Sequence, residues 1–154
     1  SELLPQFPLN ACSIEKAVTS DIVCTLTPSR KPIVKQELII NGTHINAVGA
    51  DASGKQELEP GILNEAKVVV DDIRQAVSSG EINVPVSQGL YRIEDVHGTM
   101  AELVLSRKKG RTSNSDITLF DSTGIAIEDI ATARIIYDKA VKKGGYTEID
   151  LVGF

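Results

Sequence analysis

Hydrophobic and polar positions fall into two rhythms along this chain, and each predicts a different element. Three β-branched runs bounded by turn residues, Asp21 to Leu26 (DIVCTL), Ile45 to Gly49 (INAVG) and Lys67 to Asp72 (KVVVDD), lack a polar residue at every second position. That pattern predicts short strands covered on both faces, as in parallel sheets. Helix-like segments lie between them: Lys35 to Ile40 is short, while Glu59-Pro60 offers a capping residue and a proline at the first helical position before ILNEAK. Strands alternating with short helices predict an α/β fold on a parallel sheet. Farther on, Ile93 to Leu105 (IEDVHGTMAELVL) reads as a helix, RKKGRTSNS as a polar loop and Ile117 to Phe120 as another strand. The clearest helical pattern is Gly124 to Lys142. Asp121-Ser122-Thr123 stand before it as candidate caps, and Lys142-Lys143-Gly144-Gly145 close it with cations at the negative dipole end and glycine for a left-handed residue. Thr147 to Val152 predicts one more short strand.

Composition narrows this picture. A chain of 154 residues, 42% of them hydrophobic, is long enough for one domain with a real core. The net charge is -5, and the densest cationic stretch, Arg107 to Arg111, belongs to a polar loop, so nucleic acid is not an expected partner. Cys12 and Cys24 make no disulfide framework; Cys24 sits in an apolar run as a small hydrophobe, which points to a reducing, cytoplasmic location. No apolar stretch approaches the ~18 residues of a membrane span, and no membrane association is expected.

Open parallel sheets bind ligands beyond the carboxyl ends of their strands. DIVCTL runs into Thr27-Pro28-Ser29-Arg30, INAVG into Ala50-Asp51 and an SGK turn, and ITLF into Asp121-Ser122-Thr123-Gly124. On a parallel sheet these loops converge. Each also has a purely local reading: Thr27-Pro28-Ser29 as a turn, Asp51-Ala52-Ser53-Gly54 as a type I turn, Asp121-Ser122-Thr123 as a helix cap, Lys55 as a solvated lysine. His44, entering a strand, and His97, early in a helix, have no metal-ligand partners at useful spacing; both read as structural, and no metal is expected. Glu81 and Glu102 read as surface or packing carboxylates.

GADASGKQEL, with TLTPSRKP before it and ITLFDSTGIAIEDIATA after it, resembles the ornithine cyclodeaminase and mu-crystallin family, which includes the archaeal alanine dehydrogenases. KVVVDD, GEINV and EDVHGTMAELV are most similar to the alanine dehydrogenase branch. The resemblance implies a Rossmann-type domain for NAD or NADP and a second domain that completes a pocket for a small amino or imino acid and makes a dimer. It assigns Asp51 to proton transfer at the substrate amine, places Thr27, Pro28 and Ser29 beside the cofactor and Ser122 and Thr123 near the nicotinamide, and puts Lys55 close to the substrate. Hydride removal from an amine-bearing carbon yields an iminium, whose proton movements need a base nearby. Desolvation would raise the proton affinity of Asp51 and Lys55 would lower it; the sequence leaves that balance open.

The match also breaks. The family's GxGxxG turn, which holds the pyrophosphate, has no counterpart: no two glycines here are separated by a single residue. The resemblance therefore implies that residues 1–122 are the C-terminal half of a Rossmann-type cofactor domain without its glycine-rich first half, and 123–154 a helix and strand returning toward the substrate and dimerisation domain. Two functions follow: part of an alanine dehydrogenase or ornithine cyclodeaminase, or a truncated, non-catalytic binding or assembly module of the mu-crystallin type. With the first half of the sheet absent, DIVCTL is expected to be an open edge through which the chain self-associates or binds an upstream fragment.

Overall fold

The computed structural model of the chain describes residues 9–150. It divides into two compact units, Ser1–Thr123 and Gly124–Phe154. The first holds a five-stranded sheet of β1 (Ile22–Thr25), β2 (His44–Ala47), β3 (Ala66–Val70), β4 (Gly98–Thr99) and β5 (Ile117–Asp121), in the order β1-β2-β5-β3-β4. Every pairing is parallel, as expected. Ala47 and Val70 both register with Asp121, so β2, β5 and β3 end level with one another.

The sheet is not covered equally on its two faces, contrary to the sequence pattern. Val23, Ile45, Ala47, Val68, Val70 and Leu119 point to one side and build the core with Ile62 and Leu63 of α2 (Pro60–Glu65), Ala76 of α3 (Ile73–Ser79), and Val34, Leu58 and Ile82. The opposite face carries Ile22, 63% exposed, with Cys24, half-buried His44 and Asn46, and the groove residues Val69, Thr118 and Phe120. Cys24 is thus an exposed side chain, with its sulfur 3.6 Å from Asn46 Nδ2, rather than a core hydrophobe. The cause is visible in β2. The strand begins at His44, one residue before the apolar run, and from there polar and apolar residues alternate as in any one-sided strand.

The stretch 93–105 is three elements instead of one helix. A single 3₁₀ turn (Ile93–Asp95) leads to β4, and α5 (Met100–Val104) follows. His97 donates its backbone N–H to Val68 O at 2.8 Å, which draws the chain into the sheet beside β3. The helix then restarts with a capping box in which Thr99 and Glu102 bond each other's backbone N–H. So His97 precedes a strand, and Glu102 is a half-buried capping residue.

In the second unit α6 runs from Ala126 to Lys143, two residues later than the Gly124 expected, and no side chain caps it at Ile125. Asp121-Ser122-Thr123 cannot cap it. Asp121 ends β5 on the buried face and Thr123 is bound elsewhere in the first unit, as described below. The C-terminus does follow the pattern: Lys142 and Lys143 fill the last turn, and Gly144 takes φ +71. Residues 147–150 have no regular structure, and 151 and 152 of the expected last strand lie outside the described residues. Two further helices, α1 (Ile14–Ala17) and α4 (Asn83–Ser87), and a 3₁₀ turn at Gln36–Leu38, complete the elements; the last is all that forms of the predicted 35–40 helix. Among the described residues no helix is long and apolar enough to cross a membrane.

Candidate functional site at the strand ends

Because β1, β2 and β5 are parallel neighbours, the segments that follow them lie side by side. Carboxyl groups buried beneath these segments hold them there. Glu57, fully buried, accepts the N–H of Thr27 at 2.6 Å and its hydroxyl at 2.8 Å on one oxygen, and the N–H of Gly49 at 3.1 Å on the other. The end of β1 is thereby joined to the end of β2. A Cβ on Gly49 would stand 2.3 Å from the Thr27 carbonyl oxygen and 2.5 Å from Glu57 Oε2, so only glycine permits the approach.

Two more carboxyls continue inward. Glu81 accepts the N–H of Glu57 at 2.9 Å and of Leu58 at 2.7 Å, while Asp121 accepts the N–H of Glu81 at 2.9 Å and of Ile82 at 3.2 Å. At the end of β3, Asp71 accepts both the N–H of Thr123, at 2.7 Å, and its hydroxyl, at 2.9 Å. Burial dominates the titration of the two deepest groups. It raises Glu81 to about 8 and Asp121 to about 7, against the N–H groups they accept; neighbouring Asp121 and Glu57 push Glu81 further up, and Asp71 does the same for Asp121.

Asp51 lies beyond this framework, its own N–H bonded to Gly49 O at 3.1 Å and its side chain 62% exposed. The turn after it spans Ala52 to Lys55, one residue later than expected, closed by Lys55 N–H to Ala52 O at 3.1 Å. Gly54 takes φ +78 at its third position, the conformation of a type II turn, and Asn83 grips it from below, accepting the N–H of Gly54 at 3.0 Å and donating to Lys55 O at 2.9 Å. This geometry aims the ammonium of Lys55 back at Asp51, with which it forms an ion pair. The balance left open by the sequence falls on the side of the cation: the hydrogen bond and charge of Lys55 hold the Asp51 carboxyl below its usual range.

The loop after β1 follows alongside. Ser29 O accepts the N–H of Gln56 at 3.0 Å, Arg30 reaches Ser53 O at 3.3 Å, and the Ser29 hydroxyl is turned onto Lys31 O at 2.6 Å. Ser122, half-buried, extends the sheet by donating its N–H to Ala47 O at 2.9 Å. Of the residues singled out in the sequence, Thr27, Pro28, Ser29, Asp51, Lys55 and Ser122 are therefore gathered at one sheet edge with exposed or half-exposed surface. Thr123 belongs to the same edge but is buried, its polar atoms turned onto Asp71.

Sequence reasoning passed over Glu57, Asp71 and Asn83, read Glu81 as a surface or packing carboxylate, and took Asp121 for a cap. One signal was available. Asp121 continues the two-residue period of Ile117 and Leu119, and a charged residue on the buried parity of a strand must find internal partners.

Apart from Arg30, Lys31 and the Asp51–Lys55 pair, the groups offered at this edge are short and uncharged, which suits the uncharged carboxamide and ribose hydroxyls at the nicotinamide end of a dinucleotide. Its pyrophosphate is not served: these residues contain no GxGxxG turn. Among the described residues no group of His, Cys, Asp and Glu is placed to hold a metal ion.

Comparison with known proteins bears on family and fold. The Ornithine cyclodeaminase/mu-crystallin family model matches residues 2–144. The chain is 54% identical over 129 residues to an alanine dehydrogenase of Archaeoglobus fulgidus, covering 84% of this chain and 40% of that protein. It is 32% identical over 145 residues to an iminosuccinate reductase of Paracoccus denitrificans, covering 94% and 45%. Among solved structures, an archaeal alanine dehydrogenase dimer with bound NAD superposes with a TM-score of 0.85 at 51% identity, over 91% of this chain and 44% of that one. A Thermococcus litoralis Delta(1)-pyrroline-2-carboxylate reductase in complex with NADH and L-proline gives 0.83 at 37%, over 89% and 43%. The chain thus spans less than half the length of the relatives it matches.

Proposed function

Because this chain belongs to the ornithine cyclodeaminase/mu-crystallin family, we propose that it forms the nicotinamide side of an oxidoreductase interconverting a small amino acid and its imine, with Asp51 moving the proton on nitrogen. The observation that carries the reading is the Asp51–Lys55 ion pair at the end of β2, set between the ends of β1 and β5. In this reading residues 1–122 are half of a Rossmann-type cofactor domain, 123–154 lead toward the substrate and dimerisation domain, and the assembly is a homo-oligomer.

NAD or NADP, when bound, supplies the hydride chemistry. Thr27, Pro28, Ser29 and Ser122 would hold it, and Thr123 would act indirectly, through its backbone fixed on Asp71. Asp51, whose pKa Lys55 lowers from an already acidic ordinary value, is a carboxylate at neutral pH and so in the form that accepts a proton from a substrate ammonium, though the cation makes it the weaker base. Transfer to Asp51 frees the amine lone pair that stabilises the cation left by hydride departure. In the reductive direction the same carboxyl returns the proton. The relatives named as alanine dehydrogenase, iminosuccinate reductase and pyrroline-carboxylate reductase share this interconversion of a carbon–nitrogen double bond and an amine.

The test uses this chain alone and a chimaera in which it replaces the matching segment of the Archaeoglobus fulgidus alanine dehydrogenase. With pyruvate and ammonium the chimaera should consume NADH, and Asp51→Asn should lower turnover by roughly 10²- to 10⁴-fold with little change in cofactor affinity. Formation of proline from ornithine without net NADH change would move the substrate assignment to the cyclodeaminases. Normal turnover in Asp51→Asn would remove the proton role, and a chimaera that binds NADH but performs neither reaction would favour a non-catalytic module.

A further inference from the structure

A buried carboxyl that serves only the core is a poor solution, since an apolar side chain of similar volume avoids its desolvation. Glu57 is buried and yet spends its acceptors on loops: the N–H and hydroxyl of Thr27 and the N–H of Gly49. These donors come from different strand ends, 30 residues before Glu57 and 8 residues before it. Gly49, Thr27 O and Glu57 Oε2 are packed so closely that a single Cβ would displace them, so the distance between the two loops is set at this point. Glu57 is itself held from behind. Its N–H is fixed by the Glu81 side chain, and the N–H of Glu81 by the Asp121 side chain, so three carboxyls in series run from the end of β5 to the end of β1.

We propose that Glu57 is a positioning residue of the site. By binding Thr27 and Gly49 together it fixes where Asp51, two residues beyond Gly49, stands relative to the 27–29 loop. This rests on the reading of that loop and Asp51 as two sides of one site. It adds that their spacing is set from below by Glu57, with Glu81 and Asp121 as its supports. Glu57 touches neither substrate nor cofactor in this role; it acts through the backbone of both loops.

Amide hydrogen exchange on this chain tests the claim without requiring activity. Glu57→Ala should speed exchange at Thr27 and Gly49 by roughly 10- to 100-fold, the range for loss of a strong hydrogen bond. Val68 to Val70 and Ile117 to Leu119 should keep their protection. Glu57→Gln, which preserves volume and one acceptor oxygen, should retain protection at one of the two amides and lose it at the other; it also carries the test if the alanine variant does not fold. In the chimaera, Glu57→Gln should lower kcat at least about tenfold while KM for NADH changes less, as expected of misplaced rather than missing groups. Unchanged exchange at Thr27 and Gly49, uniform loss of protection across the sheet, or an unchanged kcat would each overturn the inference. Local loosening combined with normal turnover in Asp51→Asn would instead overturn the assignment of Asp51 and leave the loop tether standing.

Discussion

Glu81→Gln offers a direct measure of how burial and hydrogen bonding compete beneath the site. Glu81 is fully buried, and its carboxyl is carried from an ordinary 4.5 to about 8. The groups facing it are the N–H donors of Glu57 and Leu58 and the carboxyls of Asp121 and Glu57, and no cation is among the causes of its shift. A raised pKa in the folded state means that this state binds the proton more tightly than the unfolded chain does. The stability contributed is complete below about 4.5 and is lost as pH rises through about 8. Over that window the linkage amounts to roughly 5 kcal/mol at most, with a slope near 1.4 kcal/mol per pH unit. The amide of the variant does not titrate, so this slope disappears from it. The substitution brings a cost of its own. Both donors reach Oε1, at 2.9 and 2.7 Å, but the Glu57 N–H also lies 3.1 Å from Oε2, where the amide NH₂ would now meet it. That conflict costs about 1–3 kcal/mol at every pH. The curves should therefore cross, with Glu81→Gln less stable than the parent at pH 5 and more stable at pH 9. Urea unfolding at intervals between these values reads the difference directly. Parallel curves over the whole range would show that Glu81 does not titrate there in the folded state, and the account of its burial would be refuted.

Other consequences are simpler. Gly49→Ala places a Cβ 2.3 Å from a backbone oxygen that cannot move without shifting β1, and it should lower stability by about 1–3 kcal/mol in thermal or urea unfolding. An unchanged midpoint would show the approach to be looser than described. Lys55→Gln removes the charge that lowers the Asp51 pKa, so the titration of the Asp51 carboxyl carbon, followed by NMR, should move upward toward the ordinary aspartate value. No movement would separate the two side chains in solution.

The legible parts of this molecule were those in which local preference and tertiary demand agree. Strands β1, β3 and β5, the proline-led start of α2 and the cation-glycine end of α6 could all be read because the same residues satisfy both. The stretch 93–105 failed for the opposite reason. Helical spacing is present on either side of His97-Gly98, but the N–H of His97 finds Val68 O, a partner no periodicity announces. Thr99 and Glu102, spaced as a capping box, did mark where the helix truly begins.

At the site the division is sharper still. Asp51, Lys55 and the 27–29 loop could be named because the turn-forming residues around them are contiguous in sequence. The carboxyls beneath them could not be assigned partners, since their donors are backbone N–H groups, which every residue but proline carries and which leave no compositional trace. What the sequence does contain is a contradiction: Glu57 between Gln56 and Leu58, Glu81 between Gly80 and Ile82, and Asp121 on the inward parity of β5 each place a carboxyl group where the surrounding pattern calls for burial. A buried carboxyl group must be satisfied internally. Here the donors that satisfy it belong to the strand-end loops and to the residue bearing the next carboxyl in the series, so the misfit in the hydrophobic pattern marks the residues that tie the strand-end loops together.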